Sequence, residues 1–225
     1  LKSLGIKQVD AILADFGVSS HQIDTIERGF SYTQDAPLDM RMDTDANKTA
    51  DTIVNCYPEG KLADLIWNYG EERYAPQIAS AICRRREVKP IKTTLELVDI
   101  IRSAMPPVAL REKQHPAKRS FQAIRIAVND ELGSVEKAME DAIPLLNKGG
   151  RLAVITFHSL EDRIVKTAFK NKENPCTCPA EFPVCVCGKE PVGKAVTRKP
   201  ILPSAEELEI NSRSKSAKLR VFEKY

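Results

Sequence analysis

Three groups of side chains in this 225-residue chain have types and spacing that suit chemistry. The first is Asp15 in VDAILADFGVSSHQ, followed by Gly17, Ser19, Ser20 and Gln22. A carboxylate on a Gly-Ser turn offers a polar ligand an acceptor, a permissive backbone and hydroxyl donors. The second is Phe157-His158-Ser159 in RLAVITFHSLEDR, which combines an aromatic face, an imidazole and a hydroxyl. An unperturbed imidazole titrates near 6.5, so His158 is a candidate general base; a lone His at a strand end is also an ordinary hydrogen-bonding or packing residue. The third is Cys176, Cys178, Cys185 and Cys187 in the Pro-rich loop PCTCPAEFPVCVCGK. Four thiols so close could hold a structural zinc in a tetrahedral site. Zinc knuckles mostly use C-x-x-C, and C-x-C strains a shared metal, so disulfides or free thiols are preferred over zinc.

The elements that must position these groups follow from periodicity. Val9, Ala11, Ile12, Leu13 and Ala14 form a nearly continuous apolar run, the pattern of a parallel strand covered on both faces. It delivers Asp15 to the carboxyl end of a sheet, where open α/β folds bind ligands. Gly149-Gly150 and the strand Leu152 to Phe157 repeat the design, and Ser159 and Asp162 have the spacing of a capping box. From Thr49 to about Met105 the spacing predicts helices with no strand between them. Pro58 opens one and Gly70 closes it, Thr93 and Glu96 form a capping box, and Pro106-Pro107 ends the run. Phe121, Ile124, Val128, Leu132, Val135, Met139, Ile143 and Leu146 read as one helix packed on the sheet. Residues 217–225 alternate as a final antiparallel edge strand.

With 42% hydrophobic residues the chain can bury one good core or two modest ones, and no apolar run approaches the roughly 20 residues of a membrane span. The expectation is a soluble cytoplasmic protein, a compartment that argues against disulfides. Cys56 and Cys83 fall on helical stretches as small core hydrophobes. The net charge of +3 hides a segregation. Residues 1–81 carry 7 Lys+Arg against 13 Asp+Glu, residues 82–125 carry 11 against 4, and residues 189–225 carry 9 against 5. Two basic blocks suit a phosphate backbone, although solvated helix faces give the same pattern. Arg41 lies among Asp39, Asp43 and Asp45, so its charge is satisfied locally. His115-Pro116-Ala117-Lys118-Arg119, with Arg125 nearby, is the more suggestive basic stretch, and phosphate contacts there would position RNA without specifying sequence.

Together DFGVSSHQ and FHSLEDR resemble signature segments of the bacterial small-subunit (16S) rRNA (cytosine-N4)-methyltransferases. ERGFSY, PLDMRMD, YGEERYA, HPAKRSFQAIRIAVNDEL and KPILPSAEELEINSRSKSAKLRVFEK extend the resemblance along nearly the whole chain. It implies an α/β fold, a Rossmann-like class I methyltransferase core with an inserted all-α domain. Residues 1–32 would form the first part of the core, 33–117 the helical insert, and 118–225 the second part, with a Cys-rich loop at 175–188. It also implies S-adenosylmethionine as cofactor and small-subunit rRNA, within the assembled or assembling subunit, as partner. No membrane partner is implied, and homodimerisation stays open. One departure stands out. Such enzymes cradle the cofactor in a Gly-rich loop after the first strand, and this sequence has no G-x-G. The first strands and that loop are therefore expected to be missing, with the chain a C-terminal part of a longer enzyme. The alternative for the chain as it stands is a non-catalytic RNA-binding or dimerisation module.

A cytosine N4 amine is a poor nucleophile because its lone pair is delocalised into the ring. An enzyme must unstack the base, align N4 with the methyl donor and hydrogen-bond the amine. Related amino-methyltransferases use an Asp/Asn-Pro-Pro-aromatic motif; here Asp15-Phe16-Gly17-Val18 fills that slot without prolines. The resemblance puts Asp15 and Gln22 at the cofactor, Ser19 and Ser20 at the junction of methyl donor and base, and Phe157, His158 and Ser159 around the base. Both serines also suit a purely turn-forming role.

Overall fold

A computed structural model describes residues 2–179 and 181–225. Its strands are β1 (Val9–Asp15), β2 (Leu146–Thr156), β3 (Gly193–Ala195) and β4 (Lys218–Lys224). The helices before β2 are α1 (Ser20–Asp24), α2 (Ala50–Cys56), α3 (Glu59–Gly70), α4 (Ala75–Val88), α5 (Thr94–Ala104), α6 (Pro107–Leu110), α7 (Lys118–Asn129) and α8 (Glu131–Ala142). After β2 come α9 (Ser159–Glu173) and α10 (Ala205–Ile210). The chain forms two compact units, residues 1–17 with 132–225, and residues 18–131.

The first unit is built on a mixed sheet of order β1-β2-β4-β3. β1 and β2 run parallel with Asp15 opposite Ile155, so both carboxyl ends finish together. Gly149-Gly150 lie inside β2, not ahead of it, and bulge it: Val9 pairs with Leu146 but Ala11 with Arg151. Gly149 has φ +77°, which glycine adopts without strain. β4 is antiparallel to β2 and flanked by β3, so the terminal strand is internal rather than the edge expected from its alternation. β1 is not covered on both faces: Ile12 and Ala14 pack on the core while Leu13 is 70% exposed. The core gathers Val135, Met139, Ile143, Leu146, Leu152, Val154, Val165, Phe169 and Phe222. Each such side chain stabilises by about 1.5–3 kcal/mol when fully buried.

The second unit is helical, with α3 packed between α4 and α7 and α5 against α4. Pro58 opens α3 and Thr93 caps α5 as expected, and Thr49 caps α2 with Thr52 as its partner. The expected single helix from Phe121 to Leu146 is two helices. Asp130, at φ +48°, caps α7 in the left-handed conformation and ends it. Phe121, Ile124 and Val128 then belong to the helical unit's core, whereas Val135, Met139, Ile143 and Leu146 belong to the sheet's. α7 therefore packs on α3. Gly70 permits the approach, since a Cβ there would lie 2.7 Å from the Arg119 carbonyl oxygen. By compactness the helical unit covers residues 18–131.

Candidate active site

At the carboxyl ends of β1 and β2 the sheet unit brings together four residues singled out in the sequence, Asp15, Phe157, His158 and Ser159. Asp15 is exposed, and the next residue's N–H donates to Ile155 O at 3.1 Å, holding the two strand ends side by side. Gly17 follows at φ +102°, a conformation that strains any other residue. It lies against the Phe157 ring, whose Cδ2 would stand 3.6 Å from a Cβ at this position.

His158, and not Ser159, caps α9. Its Nδ1 accepts the Glu161 N–H at 3.4 Å, and Nε2 lies 3.2 Å from Glu161 Oε1. Glu161 Oε2 in turn accepts the N–H groups of Phe157, at 2.8 Å, and His158, at 3.3 Å. The capping box is thus His158/Glu161. The signal was present as H-x-x-E, one residue ahead of the S-x-x-D that was expected. Asp162 is occupied elsewhere, by Arg220 and Lys218 of β4. The buried Glu161 carboxylate stands where the positive end of the α9 dipole favours negative charge. With both ring nitrogens facing Glu161, His158 orients the turn that carries Phe157.

The remaining expected site residues lie in the helical unit. Ser19 and Gln22 form the capping box of α1: Ser19 Oγ accepts the Gln22 N–H at 3.2 Å, and Gln22 Oε1 accepts the Ser19 N–H at 2.9 Å. Ser20 is the exposed first residue of α1. Gln22 Nε2 reaches Met42 O at 3.5 Å, joining α1 to the PLDMRMD loop. That loop is held by residues the sequence reading did not single out. Asn129 accepts the Met42 N–H at 2.6 Å and donates to Met40 O at 2.8 Å, while Arg28 donates to the carbonyls of Arg41 and Met42. Arg41 forks onto Asp39 as expected, and its hydrogen bond and charge hold the Asp39 carboxyl below its ordinary range despite partial burial. Lys118 and Arg125 line a cavity of about 270 Å³ with Phe30, Tyr32 and Phe121. Arg125 is forked onto Glu131 at 2.8 and 2.9 Å. Arg119 does not line this cavity; it stands 4.0 Å from the buried Glu72. Tyr32 stacks on His115 at 4.6 Å between centroids and meets Phe121 edge-on. Burial, and then the charge of Arg102, push the His115 imidazole below its ordinary pKa.

In the sheet unit the four loop cysteines converge, with all four Sγ atoms within 4.8 Å of one another. All six cysteines are free; Cys83 is buried, but Cys56 is exposed and so is not the core residue expected of it. No helix among the described residues is long and apolar enough to cross a membrane.

The profile of the MraW methylase family matches residues 1–225. The chain belongs to this family. Among its relatives, a protein named ribosomal RNA small subunit methyltransferase H from Carboxydothermus hydrogenoformans is 58% identical over 221 residues, covering 98% of this chain and 71% of the relative. Proteins of the same name from Clostridium botulinum (strain Kyoto) and Clostridioides difficile (strain 630) are 59% and 56% identical over 224 residues. Each covers the whole chain, which spans 72% of their length. The family's Rossmann-like methyltransferase fold agrees with the parallel β1/β2 pair and the helices around the sheet. Asp15, Phe157 and the FHSLEDR turn sit at the edge where that fold binds its ligands.

Proposed function

We propose that the chain methylates N4 of a cytosine in the decoding region of small-subunit rRNA, using S-adenosylmethionine. The observation that carries this reading is the exposed Asp15 carboxylate at the shared carboxyl end of β1 and β2, with Phe157 beside the following turn. The names of the relatives support the substrate class. The donor set suits the cofactor: a carboxylate accepts from ribose hydroxyls or an ammonium group, and an aromatic face receives an adenine or a sulfonium. Bound here, S-adenosylmethionine supplies an electrophilic methyl group.

The chain's own residues would bind and orient. Asp15 accepts hydrogen bonds from the cofactor or from the N4 amine, and acceptance from the amine favours the pyramidal nitrogen that methyl transfer needs. Phe157 offers a stacking surface to an unstacked base. His158 acts through Glu161 by fixing the turn that carries Phe157, and Ser159 presents its hydroxyl at the same turn. Ser19 and Gln22 hold the start of α1, directly after the Asp15 segment, and Ser20 offers an exposed hydroxyl there. Lys118 and Arg119 contact RNA phosphates, while Arg125, already forked onto Glu131, shapes the cavity it lines. Small-subunit rRNA within the ribosomal subunit is the partner, and the cytoplasm the compartment.

Two experiments test this. Calorimetric titration of S-adenosylmethionine into the 225-residue chain should show saturable one-site binding. Incubation with unmodified small subunits, followed by nuclease digestion and mass spectrometry, should yield N4-methylcytidine. Absence of cofactor binding would leave the chain an RNA-binding or dimerisation module, and a methyl group on ring carbon C5 would overturn the N4 assignment.

A further inference from the structure

Among the described residues between α9 and β3, 174–179 and 181–192, most side chains are exposed. Phe182, Val184 and Val186 are 51%, 70% and 72% exposed. What the segment does gather is sulfur. Cys185 Sγ lies 3.4 Å from both Cys176 Sγ and Cys187 Sγ, and 3.8 Å from Cys178 Sγ. Four sulfurs bound at about 2.3 Å to one tetrahedral ion stand about 3.8 Å apart, so the observed set is already close to that arrangement.

We propose that Cys176, Cys178, Cys185 and Cys187 bind one zinc ion as a structural tetrathiolate site. A pair of disulfides would divide the sulfurs two and two, yet Cys185 is equidistant from two partners and all four share one centre. The sulfurs are too close together to surround a cluster of several irons. The C-x-C spacing, which argued against a shared metal, is accommodated by the turn between the pairs. Phe182 N–H donates to Pro179 O at 3.1 Å and folds the second pair back onto the first. A backbone N–H supports one of the sulfurs: Val186 donates to Cys178 at 3.3 Å. Such outer hydrogen bonds orient and stabilise metal-bound thiolates. Binding is ligand exchange without redox change: four S–H protons leave, four Zn–S bonds form, and the site carries a charge of −2.

The site would tie the end of α9 to the start of β3. Val192 N–H already donates to Lys172 O at 2.9 Å and Val192 O accepts the Tyr225 N–H at 3.0 Å, so the clip secures the β3 edge of the sheet.

Elemental analysis of the full chain, purified under reducing conditions with zinc in the medium, tests the proposal. The expected result is one zinc per chain, released by a mercurial reagent. Replacement with Co2+ should give thiolate-to-metal charge-transfer bands and the intense visible bands of tetrahedral cobalt. Cys178→Ser and Cys187→Ser should each lose the metal, and Cys56→Ser should keep it. No zinc in the reduced wild-type chain, iron in its place, or an intact mass four hydrogens light would overturn the proposal. The wild-type metal content and cobalt spectrum decide this even if the serine variants fail to fold.

Discussion

Arg220 on β4 grips Asp162 on α9 with a two-pronged ion pair, Nε to Oδ1 at 2.6 Å and a terminal nitrogen to Oδ2 at 3.1 Å. Their side chains are only 8% and 13% exposed, so the pair fastens α9 to the sheet in a dry setting. Removing one partner of such a pair leaves an uncompensated charge, so Asp162→Ala should cost about 3–5 kcal/mol. Urea unfolding at neutral pH measures it.

The same pair sets an acid limit. Burial works to raise the Asp162 pKa, but the hydrogen bond and charge of Arg220, with Lys218, outweigh it and hold the carboxyl below its ordinary 3.8. A depressed carboxylate contributes stability that is complete above the unfolded pKa and is lost as pH falls through the folded one. The wild-type chain should therefore lose part of its unfolding free energy as pH drops from about 4, and Asp162→Asn should flatten that slope. A urea series from pH 6 to 2.5 reads both.

The Asp15 side chain is exposed and makes no hydrogen bond or ion pair among the described residues, so its loss should spare the fold. Asp15→Ala should leave the unfolding free energy within about 0.5 kcal/mol of wild type. Cofactor binding or methylation should fall by at least about tenfold, and RNA binding should persist. Methylation at the wild-type rate would remove Asp15 from the site.

Gly29 sits in the left-handed region, at φ +67°, where a Cβ would overlap the Pro37 carbonyl oxygen. Backbone cannot move aside as a side chain can. Gly29→Ala should cost more than about 1 kcal/mol from conformation alone, with the clash added. Gly60→Ala, where a Cβ meets open space inside α3, should stabilise by roughly 0.5–1 kcal/mol.

Asn129→Ala should unfasten the PLDMRMD loop. It leaves the Met42 N–H and the Met40 carbonyl without their partner, at about 1–3 kcal/mol for a buried polar group left unsatisfied. Hydrogen exchange at the Met42 amide should quicken well before global unfolding, whereas Lys137→Ala, which breaks an exposed pair with Asp141, should change nothing there.

Much of this was readable from residue types. Thr93 marks a helix start because capping chemistry is local, Pro58 and Gly70 stand at the two ends of α3, and β1 and β2 declare themselves by apolar runs. Local pattern misleads where it has two solutions. Phe121 to Leu146 keeps helical spacing across Asp130, so periodicity could not show the chain stepping from one core to another. Ser159 and Asp162 have capping spacing, but Arg220, 58 residues beyond Asp162, claims that aspartate. The alternation of residues 217–225 identifies a strand without revealing whether neighbours flank it. Asn129 and Arg28 went unread because their partners are backbone atoms of a loop, which leave no side-chain signature.

The parallel pairing of β1 with β2 has a consequence for synthesis. Asp15 leaves the ribosome well before its partner Ile155, which follows 140 residues later. At ordinary translation rates the delay is on the order of ten seconds. Throughout it the side of β1 that β2 will cover is unsatisfied, the kind of edge that sticks to other nascent chains. The helical unit, contiguous over residues 18–131, can fold within that interval. By compacting the chain between the two strands, it lowers the entropy cost of their meeting. The insert thus serves as a cis-acting assembly factor for the sheet it interrupts.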